Sequence, residues 1–137
     1  MTLPSGLPEH VADDEDVARF LTSSGHYNST IVRPSAFMPN PRNGETSVFR
    51  HGAEPLEDLK ALGDREVGRD RHVHGAAIVK AGMIRATELE VRASEPPPRH
   101  ADIIRWPWNS QDPDFGKAAQ KEIAALLAQK AGEPVRF

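Results

Sequence analysis

Two arginine–histidine dipeptides, Arg50-His51 and Arg99-His100, are the residues of this sequence best equipped for chemistry. A guanidinium grips phosphate through two parallel N–H bonds, and an imidazole moves protons near neutral pH. Each dipeptide falls at the edge of an expected strand, where a rigid scaffold can present side chains to a ligand. His72 and His74 flank Val73, so on a strand both imidazoles share a face. Convergence of Arg50, His51, His74, Arg99 and His100 would make a metal-independent site of ribonuclease type, with one histidine as base, one as acid and an arginine on the phosphate. The plain alternative is two solvated strand ends that merely carry charge.

Metal chemistry is a weaker reading. His72 and His74 with His51 or His100 would supply three imidazoles for zinc, but no spacing specifies the third ligand, and a basic exposed loop accounts for the pair equally well. The run Asp13-Asp14-Glu15-Asp16 lacks the alternation and glycine of a calcium loop and reads as a charged helix start. No metal and no cofactor are therefore expected. Trp106-Pro107-Trp108 holds both tryptophans of the chain. In an extended segment the two rings share a face and could grip a partner, since Trp is a frequent interface anchor. The rival account has one ring closing the core edge.

The segment His74-Gly75-Ala76-Ala77-Ile78-Val79-Lys80-Ala81-Gly82-Met83, followed by Arg99-His100-Ala101-Asp102-Ile103, resembles ADP-ribosyltransferase-type folds. That resemblance implies a cleft holding the phosphates of a nucleotide such as NAD; it places no catalytic glutamate. A phosphate loop, a dinucleotide fingerprint and a serine elbow are all missing, because no glycine-rich run opens a helix after a strand.

The elements that must position these residues follow from periodicity. Residues 1–11 read as a loose lead-in. A helix is expected over 12–22, capped by Asp13, with Val17, Phe20 and Leu21 as its apolar stripe. Residues 29–38 favour a strand interrupted by Pro34, Asn43-Gly44 signals a hairpin turn, and 45–50 returns with Val48 and Arg50 on one face and Ser47 and Phe49 on the other. A second helix should start near Pro55 and bury Leu56, Leu59 and Leu62. Strands are expected at 76–79, 89–93 and 101–106, with 80–87 open between a bulge and a helical turn. Pro96-Pro97-Pro98 is an extended linker. The last helix should be capped by Asp112, begin at Pro113, and bury Phe115, Ala119, Ile123, Leu126 and Leu127. The sum is an α+β fold: a mostly antiparallel sheet of four to five short strands packed by about three helices, in one domain spanning residues 1–137.

Composition narrows the function classes. A chain of 137 residues with 38% apolar residues supports one core. Its net charge of −3 argues against a general nucleic-acid binder, which needs a broad basic surface. The absence of cysteine removes disulfides and thiolate metal sites. No apolar run spans a bilayer and no signal sequence opens the chain, so a cytoplasmic, membrane-free protein is expected. Two functions compete: an accessory interaction module docking a protein partner through the Trp106–Trp108 edge and the proline-rich segment, or a small metal-independent enzyme acting on RNA or a nucleotide.

Overall fold

The structure, a computed structural model, describes residues 1–51 and 55–137. Its organising element is strand β1, Asp16–Leu21, where periodicity predicts a helix. Val17-Ala18-Arg19-Phe20-Leu21 is nearly all apolar, and a short apolar run is what a strand buried on both faces also requires. Val17 and Leu21 enter one core, Ala18 and Phe20 the other. The acidic run before it is spent on ion pairs rather than on a helix end: Asp13 meets Arg85 at 2.7 Å, Asp16 meets Lys80 at 3.2 Å, and Glu15 meets Arg50.

Five further strands complete one antiparallel sheet: β2 Thr46–Arg50, β3 Gly75–Lys80, β4 Glu90–Ala93, β5 His100–Ile104 and β6 Val135–Arg136, in the spatial order β4-β5-β2-β1-β3-β6. Six strands replace the four or five expected, because β1 is not a helix and the chain end adds β6 beside β3. The α+β class stands. Residues 29–38 do not pair with β2. The Asn28 carboxamide accepts from the amides of Thr30 and Ile31 and turns the chain, and Pro34 opens a 3-10 turn at Pro34–Ala36. Asn43-Gly44 is a turn, with Gly44 at φ 71° beneath the Trp108 ring, but it joins no hairpin.

Helices α1 (Leu56–Glu66), α2 (Ala81–Arg85) and α3 (Lys117–Ala131) cover both faces of the sheet. Leu59 and Leu62 of α1 pack on Ala18, Phe20, Phe49 and Ala76. Leu56 stays exposed. A Cβ on Gly63 would fall 2.7 Å from the Phe20 ring, so the closeness of α1 to the sheet depends on that glycine. On the opposite face Ala124, Leu127 and Ala128 of α3, Ile84 of α2 and Phe37 cover Val17, Val48, Val79 and Ile103. α3 starts four residues later than its sequence signal: Asp112 caps a turn instead, and Phe115, Ala119 and Leu126 face solvent. The buried face carries Gln120, whose amide donates to the Pro107 carbonyl at 2.6 Å.

Candidate functional site

Antiparallel pairing of β2 with β5 sets Phe49 opposite His100, so the two Arg-His dipeptides meet at one end of the sheet. Arg50 and Arg99 do opposite things there. Arg50 has no exposed surface. Its Nε and Nη2 grip the Glu15 carboxylate and its Nη1 donates to the Pro8 carbonyl at 2.6 Å, tying the N-terminal segment down. Residues 1–11 are thus held rather than loose: Ser5 also hydrogen-bonds Glu95, and Val11 is in the core. Arg99, at φ 69°, donates to the carbonyls of Arg50 and His51 at 2.9 and 3.0 Å. His51 and Arg99 line a small cleft of about 240 Å³ with Asp58, Leu62 and Arg65.

His74 does not join them. Its amide bonds the Leu21 carbonyl, whereas the His51 amide bonds the Asp16 carbonyl at the other end of β1, about 16 Å along the strand. His74 belongs to a second group, with its Nδ1 at 2.7 Å from the Tyr27 hydroxyl, the His72 ring 4.8 Å away and Arg136 stacked over Tyr27. Nor do the tryptophans form a shared exposed face. Trp106 is 6% exposed and part of the main core, while Trp108 lies over Gly44 and donates its indole N–H to the Pro41 carbonyl. Among the described residues no group of three or more His, Asp or Glu is placed to hold a metal ion.

A cleft of about 590 Å³ opens where β1 and β2 separate. These strands pair at only two positions, Val17 with Arg50 and Ala18 with Phe49, whereas β1 pairs with β3 at six. Beyond Ala18 the guanidinium of Arg19 occupies the gap, with Nε donating to the Ala36 carbonyl at 2.8 Å and Nη1 to the Ser47 carbonyl at 2.9 Å. Both acceptors are neutral. Burial, and then the nearby Arg71, push the Arg19 pKa down to about 10. Arg19, Arg69 and Arg71 all line this cleft, and none of the three has a carboxylate partner among the described residues. Of the acids along the same wall, Glu45 is held by Arg92 and Glu66 by Arg65, which leaves Asp70 and Asp102.

His26 feels the same imbalance. Its pKa is lowered, first by burial and then by the electrostatic effect of Arg19, His74 and Arg71. Its Nδ1 is buried without a hydrogen-bond partner. Arg19 and Arg71, which line the cleft, thus also act on His26 at the Leu21 end of β1.

Ser47 and Asp102 stand on the cleft wall, opposite each other in the β2–β5 register. Ser47 Oγ lies 2.6 Å from His100 Nε2, and His100 Nδ1 lies 2.9 Å from the Ser94 carbonyl oxygen. A carbonyl only accepts, so Nδ1 carries the proton, and in the neutral ring Nε2 accepts from the serine hydroxyl. Of the five catalytic candidates read from sequence, His100 alone reaches this cleft, through its partner Ser47. Arg19, Ser47 and Asp102 escaped the sequence reading. One signal for Arg19 was present: a charged residue inside an apolar run.

No family model and no solved structure matches the chain. Over 148 aligned positions covering 99% of the chain, it is 28% identical to a protein described as subtilisin-like protease 1 from Plasmodium vivax. The chain spans 23% of that protein's length.

Proposed function

We propose that the protein binds a phosphate-bearing ligand, a nucleotide or a short stretch of RNA, in the cleft between β1 and β2. The observation that carries this reading is the set of three arginines, Arg19, Arg69 and Arg71, lining one cleft with none of them in an ion pair among the described residues, although Asp70 and Asp102 share the wall. A guanidinium held on two backbone carbonyls keeps its positive charge uncompensated, and a bound phosphate would remove that cost by adding charge-assisted hydrogen bonds. The overall charge of −3 is compatible with such a ligand, because a single pocket needs local rather than global positive potential.

The likeness to a subtilisin-like protease does not favour peptide hydrolysis here. Subtilisins order their catalytic residues Asp, His, Ser along the chain. The three polar residues on this cleft follow the order Ser47, His100, Asp102, and His100 Nδ1 faces a carbonyl rather than a carboxylate. Docking of a protein through both tryptophans would require Trp106 to leave the core.

Thermal unfolding in increasing inorganic phosphate or adenosine monophosphate tests the reading. Stabilisation should grow with ligand and reach about 2.7 kcal/mol at a hundredfold excess over the dissociation constant. It should weaken with added salt and vanish in Arg19→Met. Equal stabilisation of wild type and Arg19→Met would sink the proposal.

A further inference from the structure

The geometry points to Ser47 as a nucleophile and His100 as its general base, acting on a phosphomonoester held in the same cleft. This deepens the anion-binding reading and rests on it. A serine hydroxyl is a weak nucleophile unless a base within hydrogen-bond reach takes its proton, and that base must present a free lone pair. His100 meets both conditions. Its Nδ1–H is committed to the Ser94 carbonyl at 2.9 Å, which leaves the Nε2 lone pair aimed at Ser47 Oγ, 2.6 Å away. The edge of the Phe49 ring packs against the imidazole, with centroids 5.2 Å apart, and helps to fix its orientation.

The surroundings match what the step needs. Arg19 Nη1 bonds the main-chain carbonyl of Ser47 itself, so the residue that carries the attacking oxygen is tied to a cation, the kind of group that stabilises a transferring phosphoryl group. Asp102 Oδ1 lies 3.7 Å from His100 Nε2 and would stabilise the imidazolium that forms. Ser47 and His100 are drawn from two adjacent strands, β2 and β5, which makes their separation a property of the sheet rather than of a loop.

In the first step Ser47 Oγ attacks phosphorus, the Oγ–P bond forms, and the bond from phosphorus to the leaving oxygen breaks. The serine proton passes to His100 Nε2 and stays there, while the leaving oxygen, departing in line on the side opposite Oγ, takes a proton from solvent. In the second, water attacks the phosphoserine from the side opposite Oγ and gives a proton to solvent, while the proton on Nε2 returns to Oγ. The Oγ–P bond breaks and inorganic phosphate departs. Water is the sole co-reactant.

Two probes test this on the full chain. A fluorophosphonate needs no anion site to react with an activated serine: Oγ–P forms, P–F breaks, and the proton leaves through His100. Peptide mass spectrometry should find Ser47 modified in wild type and unmodified in His100→Gln, with circular dichroism showing that the variant is folded. Second, acid quenching during hydrolysis of p-nitrophenyl phosphate should trap one phosphoryl group on Ser47. Ser47→Ala should lose at least about a hundredfold in that hydrolysis, yet still be stabilised by inorganic phosphate. An unmodified Ser47, or a Ser47→Ala protein that hydrolyses like wild type, overturns the nucleophile while leaving the anion site intact. A fluorophosphonate-labelled Ser47 in a protein that phosphate does not stabilise overturns the anion site and the phosphoryl chemistry with it.

Discussion

Arg19 and Arg50 lie on neighbouring strands of one sheet, and the sheet treats them in opposite ways. Arg50 is fully enclosed and gripped by Glu15, an arrangement complete without any ligand. Arg19 sits in the opening between the same two strands and has only neutral carbonyls to bond. A buried cation with a carboxylate is a structural device, and one without a carboxylate is where the proposed anion would gain most. Two arginines on paired strands thus separate the part of the molecule that holds the fold from the part proposed to bind.

The largest effect should come from Arg50. Replacing it by Met leaves the Glu15 carboxylate without its cation and the Pro8 carbonyl without its donor, at a cost of about 3–5 kcal/mol. Urea unfolding measures this directly, and the N-terminal segment should become sensitive to protease in the same variant. Arg19→Met should cost far less, at most about 1 kcal/mol, because two lost hydrogen bonds are offset by removal of an uncompensated cation. Similar losses in the two variants would erase the distinction between them.

The smallest effect is a dependence on pH. His26 has its pKa lowered in the fold, so the unfolded chain binds the proton more readily and the stability tied to the neutral ring is lost as pH falls through and below 6.5. Thermal midpoints measured from pH 7.5 to 5 should decline for wild type and decline less steeply for His26→Gln. Saturating phosphate should flatten the wild-type curve, since an anion beside Arg19 and Arg71 offsets the charges that oppose protonation of His26. An identical slope with and without phosphate would separate His26 from the cleft.

Sequence periodicity located most elements and mistook the central one. The apolar run at 17–21 satisfies a helix stripe and a doubly covered strand alike, and no local signal arbitrates between them. α3 was legible because a long helix ending in Gly132 and Pro134 is strongly marked, although its start and three of its apolar positions, Phe115, Ala119 and Leu126, were not. Among the site residues the Arg-His dipeptides drew notice by composition, but Arg50 turned out to be a clamp and His74 to lie at the far end of β1. Ser47 was invisible as a functional residue because a lone serine on a strand has no signature until the neighbouring strand is known.

Composition and local pattern by themselves determined the α+β class, the lack of cysteine chemistry, the alternation of β2 and the approximate places of α1 and α3. These depend on residues near one another in the chain, whose periodicity is set by backbone geometry. Tertiary structure alone decided that β1 is a strand, which arginine acquires a carboxylate, and that Ser47 meets His100. Those outcomes depend on pairings between residues 35 and 53 positions apart, and pairing at that range is settled only when the whole sheet assembles.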